Sequence, residues 1–299
     1  MSGSKETLLL YGNCQAAALA HIFSSDPTVT AAYDVRYYPS FDDRAPGSKE
    51  LTAGVVASIG LFIRQFDPVP FPYANLIPSA VPTLTFPSID LHLLWPLSVQ
   101  NVYNDQPTPD RPWGRFPMGD RVILDCVERG LDVADTLAYY ERSSISHLPE
   151  LNRYTAMERA RLQMRETKCD VAMSDYVFER FGRENLFWTF NHPTMSLLRE
   201  LTRRLLSVAS DRGYPLPGAT LDRTLDTLGS DGPLAFLRVP IHPHIVEHFG
   251  MDWYRHESGR DFGLRMQAPT TTDEYFRDMT QSAIDIRDAR QSVSVSHGD

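Results

Sequence analysis

Residues 7–23 read TLLLYGNCQAAALAHIF. The apolar run from Thr7 to Tyr11 predicts a buried strand. Ala16 to Phe23 predicts a helix, because alanine loses no side-chain freedom on joining one. Between them Gly12-Asn13-Cys14-Gln15 interrupts both patterns, and the glycine permits a tight turn there. Further strands are predicted at Tyr33–Tyr38, at Ile59–Ile63 ending on Arg64-Gln65, and at Pro82–Phe86. Strands alternating with helical pieces predict an α/β fold with a parallel sheet core, opened by the strand–GNCQ–helix turn and followed by a helix-rich C-terminal half.

Prolines crowd the stretch from Phe66 to Trp113, and proline fixes φ and lacks a donor, so ordered loop is expected there. The chain is read as one α/β domain over 1–291, with ligand loops at 66–117, a helical half at 118–291 and a frayed tail at 292–299. Helices are predicted at Asp120–Arg129, Val133–Arg142, Thr220–Leu228, Pro243–Phe249 and Thr272–Arg290. Thr155 with Glu158 has the form of a capping box opening a helix that runs to Lys168. Asp170–Ser174 and Leu186–Phe190 are expected to return two strands to the sheet. Asn191-His192-Pro193-Thr194 is then expected to open a helix with Leu198, Leu201 and Leu205 on one face.

The 299 residues carry 42% hydrophobic and 22% charged side chains, which suits a globular chain. A formal charge of -9 repels phosphate backbones, so nucleic acid is not an expected partner. Cys14, Cys126 and Cys169 are odd in number and widely spaced, which argues against a disulfide framework and for a reducing compartment. The polar N-terminus offers no signal peptide, and the apolar run from Val55 to Ile63 is too short to span a bilayer. Cytoplasmic location is the expectation.

Chemistry concentrates at the first turn. Backbone N–H groups at a helix start stabilise a thiolate, so Cys14 is expected to have a lowered pKa and to serve as a nucleophile; the alternative is a buried structural cysteine. Cys126 and Cys169 read as small core residues. His192, placed by the reading at a strand end and a helix start, is kept neutral by the helix dipole and can act as a base. Two strands ending on one sheet edge would bring Cys14 and His192 together for nucleophilic catalysis; a satisfied structural histidine is the alternative. Arg44, Arg64, Gln65, Arg111, Trp113 and Arg115 combine guanidiniums with an indole, a set suited to phosphates and a stacked purine, or else to pairing with the excess carboxylates. His244-Ile245-Val246-Glu247-His248 matches a zinc-peptidase pattern, but only Glu257 and Glu274 follow it, without a matching context, so no metal site is assigned. His242 and His244 read instead as part of a pocket wall. Neither a Gly-x-Gly-x-x-Gly nor a Walker pattern occurs.

The Tyr11-Gly12-Asn13-Cys14-Gln15 turn, with Phe190-Asn191-His192-Pro193-Thr194, resembles the WcbI-type family of capsular polysaccharide biosynthesis, whose members are proposed acetyltransferases. The resemblance runs from the first strand through Ile241-His242-Pro243-His244. It implies coenzyme A binding and acetyl transfer from acetyl-CoA to a sugar hydroxyl, with Cys14 as the thiol and His192 as its partner. The first turn is also similar to that of the SGNH hydrolases, which carry Gly-Asp-Ser where this chain has Gly12-Asn13-Cys14. Their later Asp-x-x-His is absent, since Thr189 stands three residues before His192, and Asp90 and Asp175 are both open as a third member.

The expected function is therefore a coenzyme A-dependent acyltransferase. Arg64, Gln65, Arg111, Trp113, Arg115 and Asn191 would hold the cofactor, while Asn13, Gln15 and backbone N–H groups would steady an oxyanion at Cys14. Cys14 forms an acyl-enzyme with His192 as base, or His192 deprotonates the sugar for direct attack. An esterase of the SGNH class and a non-catalytic coenzyme A-binding subunit are the alternatives.

Overall fold

The segment from Thr7 to Phe23 forms the strand, turn and helix that its composition predicts. A computed structural model describes residues 5–41, 52–66, 71, 74–109, 112–256, 263–264 and 271–296. The chain divides into two compact units, one of Met1–Asp90 with Met157–Ala235 and one of Leu91–Ala156 with Phe236–Asp299.

The first unit starts with β1 (Glu6–Gly12), α1 (Cys14–Ser25), α2 (Pro27–Ala32), β2 (Tyr33–Pro39), α3 (Ala53–Ala57), β3 (Ile59–Phe66) and β4 (Thr83–Pro87). The four strands form one sheet in the order β2-β1-β3-β4, and every pairing is parallel. After β1 the chain adds β2 on one side, then β3 on the other, so the order reverses at β1. In open α/β sheets the crevice at such a reversal, above the strands' carboxyl ends, is where ligands bind. Gly12, Arg64 and Gln65 end their strands there.

Strand alternation sorts the side chains. Leu8, Leu10, Leu61 and Ile63 are fully buried on one face. Leu9, Tyr11 and Phe62 point the other way, into a cluster with Phe71, whose ring lies 4.8 Å from that of Tyr11. At the end of α1, Asp26 caps α2 through the N–H groups of Thr28 (2.9 Å) and Val29 (3.1 Å).

The chain then builds β5 (Ser98–Gln100), β6 (Met118–Asp120), α4 (Arg121–Glu128) and α5 (Val133–Ser143), followed by α6 (Leu151–Glu166), α7 (Ser174–Arg180), β7 (Phe187–Thr189), β8 (His192–Pro193), α8 (Met195–Asp211) and α9 (Leu221–Thr227). It ends with β9 (Leu237–Arg238), α10 (Pro243–His248), α11 (Asp252–His256), β10 (Gly263–Leu264) and α12 (Thr272–Ser296). In the second unit β5 and β6 pair antiparallel, as do β9 and β10. Its core gathers Phe116, Val122, Ile123 and Val127 with Tyr275, Phe276 and Met279 of α12. Among the described residues, no helix is long and apolar enough to cross a membrane.

Five sequence expectations need correction. Leu186–Phe190 does not rejoin the sheet, because β7 pairs with β8 in a separate two-residue-turn hairpin. Asp170–Ser174 forms no strand; Asp170 instead donates its N–H to the Thr85 carbonyl (2.8 Å) and accepts the Thr85 N–H on its carboxylate (2.6 Å). The helix after His192 starts at Met195 with Thr194 as its N-cap, since Asn191 occupies the hairpin turn. Finally α6 begins at Leu151, where the Glu150 carboxylate accepts the N–H groups of Asn152 (3.0 Å) and Arg153 (2.7 Å), so Thr155 lies inside the helix. α12 runs on to Ser296, into the stretch read as a frayed tail.

Candidate active site

The turn between β1 and α1 is built around Gly12. Its φ is +152°, and a Cβ there would stand 2.6 Å from Gln65 Cβ and 3.0 Å from Ala16 Cβ. Only glycine lets β1, β3 and α1 approach so closely. Asn13 is the N-cap of α1: its Oδ1 accepts the Gln15 N–H at 2.9 Å. Cys14 is the first helical residue.

Two buried glutamines brace this turn. Gln15, fully buried, donates through Nε2 to the carbonyls of Ile89 (2.6 Å) and Asn191 (3.0 Å). Its Oε1 accepts from Gln65 Nε2 (2.9 Å) and from the Ile89 N–H (3.1 Å). Gln65 in turn accepts the Asn13 N–H at 2.8 Å. The reading that Gln15 steadies an oxyanion or binds a cofactor is thereby corrected. A carboxamide has two N–H hydrogens, and both of Gln15's go to backbone carbonyls. Gln65 has the same bracing role. The sequence pattern could not separate a buried brace from a ligand-facing amide.

Cys14 keeps a partly exposed edge. Its Sγ lies 3.9 Å from Asn13 Oδ1 and 4.0 Å from the carbonyl of Asn191. Burial pushes its thiol up to about 12, against the lowering effect of the Cys14 and Gln15 N–H groups. The expectation of a lowered pKa therefore fails here: desolvation of the charged form outweighs the helix start. Asn13 is half-buried, and its Nδ2 donates to no protein group among the described residues.

The β7–β8 hairpin delivers Asn191 to this turn and buries His192. Burial lowers the His192 pKa to about 4. The imidazole is thus neutral at pH 7, as expected, although desolvation and not a helix dipole is the cause. Asp90 is ion-paired with Arg161 (3.3 Å) and Arg165, and Asp175 takes both ends of the Arg204 guanidinium (2.6 and 2.8 Å). Both candidate third members are therefore engaged by arginines.

Sequence reading missed Tyr37, near the carboxyl end of β2. Its hydroxyl reaches the carbonyls of Gly12 (3.2 Å) and Asn13 (3.3 Å), and burial followed by the nearby Cys14 raises its pKa. The buried alternation of Tyr33, Val35 and Tyr37 along β2 was the available signal.

Among the arginines, Arg115 takes the second of the two expected roles, pairing with a carboxylate. Arg64 stands on the face opposite Gln65, where its Nε donates to Thr85 Oγ1 (3.2 Å). Arg115 pairs with Asp278 (3.0 Å) and stacks over Phe116, while the Trp113 indole is 42% exposed. Arg44 and Arg111 lie outside the described residues. Cys126 is buried and Cys169 partly buried. Among the described residues no three His, Cys, Asp or Glu side chains gather to hold a metal, and His248 Nε2 faces Asn152 Oδ1 at 3.3 Å.

No curated protein matches the sequence. A solved structure, described as a native WcbI, a novel polysaccharide biosynthesis enzyme, without a disulfide bond between coenzyme A and its Cys14, shares the fold. The TM-score is 0.65 at 20% identity, covering 94% of this chain and 90% of that one. The family model for the polysaccharide biosynthesis enzyme WcbI matches residues 7–210, which hold the sheet, the Gly12–Gln15 turn and the β7–β8 hairpin. This chain belongs to the WcbI family of polysaccharide biosynthesis enzymes.

Proposed function

We propose that this protein is a cytoplasmic, coenzyme A-dependent acyltransferase that moves an acetyl group from acetyl-CoA to a sugar hydroxyl during capsular polysaccharide biosynthesis. The observation that carries the reading is the partly exposed Cys14 at the first position of α1, above the reversal point of a parallel sheet. The similar structure's description pairs coenzyme A with a cysteine, which supports placing the thioester end at Cys14. There, Asn13 Nδ2 and the Cys14 N–H supply donors for an oxyanion.

A thiol held up to about 12 is protonated at pH 7, and this favours direct transfer over an acyl-enzyme. In direct transfer the sugar oxygen attacks the thioester carbonyl carbon and His192 takes the hydroxyl proton. The tetrahedral intermediate then expels the coenzyme A thiolate, which recovers that proton. Single-turnover reaction with radiolabelled acetyl-CoA, followed by denaturation, tests the route: label is expected in the sugar and not on Cys14. His192→Ala is expected to lower kcat by about 10²- to 10⁴-fold.

A second reading, a non-catalytic coenzyme A-binding subunit, is favoured by the same protonated thiol. It predicts saturable coenzyme A binding and no acetyl transfer to any sugar by the intact protein. Equal, weak binding of coenzyme A, acetyl-CoA and ATP in calorimetry would defeat both readings.

A further inference from the structure

The second unit contains a cleft of about 480 Å³ between α5, α10 and the start of α12. That volume falls within the range of small-molecule sites, about 300–1,000 Å³. Its floor is apolar: the rings of Tyr140 and Phe276 meet there at 5.1 Å. Its rim is charged. Glu141, Glu247, Asp273 and Arg277 all line it and are exposed, and none forms an ion pair or side-chain hydrogen bond among the described residues. Elsewhere in this unit, Arg115 and Arg287 are paired with neighbouring carboxylates.

At the back of the cleft lies His242, one of the histidines whose pattern suggested a pocket wall, together with the buried Ser144. His242 Nδ1 accepts the His244 N–H at 3.1 Å, and an amide N–H only donates. A neutral ring therefore carries its hydrogen on Nε2, which lies 2.9 Å from Ser144 Oγ and donates to it. The pair is thus oriented against nucleophilic catalysis, since the imidazole gives a hydrogen to the serine instead of taking one. The serine hydroxyl remains a donor fixed in place, which suits recognition.

Three carboxylates against one guanidinium give the rim a formal charge of -2, a field that disfavours phosphorylated ligands. An apolar floor, several acceptors and a few fixed donors suit a molecule with apolar C–H faces and a girdle of hydroxyls. We infer that this cleft binds a neutral carbohydrate chain, with Glu141, Glu247 and Asp273 accepting from its hydroxyls and Ser144 donating to it. The inference draws on the family's link to polysaccharide and does not depend on the acetyl-transfer chemistry.

The full-length protein is screened on an array of neutral and phosphorylated oligosaccharides, with spermine as a cationic control. The best neutral binder is then titrated by calorimetry. Binding to neutral members is expected, weakened about tenfold or more in Glu141→Gln/Asp273→Asn and also weakened in Ser144→Ala. Both carboxylates are exposed, so their exchange leaves the fold intact. Cys14→Ala is expected to keep glycan affinity, so glycan binding without acetyl transfer defeats the transfer reading alone. Absence of any neutral binder, preference for phosphorylated members or spermine, or an unchanged affinity in the double variant would overturn the glycan site.

Discussion

Cys14 occupies a position that lowers thiol pKa values in many proteins, yet here it stays protonated because its surroundings strip away water faster than the helix start can compensate. Its alkylation by iodoacetamide should therefore be slow at pH 7–9 and still rise with pH above that range. A rate that levels off below pH 9 would show that the thiolate is better stabilised than this geometry allows. Gln15 makes the complementary case. Gln15→Leu would orphan the carbonyls of Ile89 and Asn191 and the Ile89 N–H, at about 1–3 kcal/mol for each buried group. Denaturant unfolding is expected to show a loss on the order of 3–5 kcal/mol with an unchanged m-value.

At the level of elements, Asp26 joins α1, α2 and α9. It is fully buried, and its carboxylate accepts from Thr28 Oγ1 (2.6 Å), Thr220 Oγ1 (2.7 Å) and Thr224 Oγ1 (2.9 Å). Burial alone would raise its pKa, but the hydrogen bonds from Thr28, Thr220, Thr224 and the Val29 N–H outweigh it and bring the value down to about 2. A depressed folded pKa adds stability above the unfolded pKa and loses it as pH falls through the folded value. The protein should thus lose on the order of 1–2 kcal/mol from this group between about pH 4 and pH 2. Asp26→Ala should be less stable at pH 7 and show a shallower acid slope in the same window. An identical slope would remove Asp26 from the account.

Elements also divide what the sequence discloses from what it conceals. The strands β1 and β3 were legible because buried parallel strands are continuous apolar runs with few competing readings, and β2 by its alternation. β7 gave the same apolar signal, but its partner, His192–Pro193, is two residues long and looks like a helix start. A hairpin and not a sheet strand brings the Asn191 carbonyl to the Cys14 turn. The roles of Gln15 and Gln65 were hidden for another reason. Whether a buried amide faces backbone or ligand depends on distant carbonyls, here those of residues 89 and 191.

For the whole molecule, the division into two units follows no single cut in the sequence: the chain leaves the first unit after Asp90, returns at Met157 and leaves again after Ala235. Truncation after Thr271 would remove α12 and bare the apolar surfaces of Phe116, Val122 and Ile123. Such a fragment is expected to be insoluble, or to bind a hydrophobic dye strongly. A soluble, cooperatively unfolding fragment would show that α12 is dispensable.

The bracket centred on Gln15 has a consequence for biosynthesis. All four strands of the sheet have been synthesised once residue 87 is added, yet one amide hydrogen of Gln15 must await the carbonyl of residue 191. At about 5–20 residues per second, the growing chain spends roughly 5–20 s with this bracket incomplete. During translation, then, this apolar sheet stays without its last brace until more than half of the chain has been made.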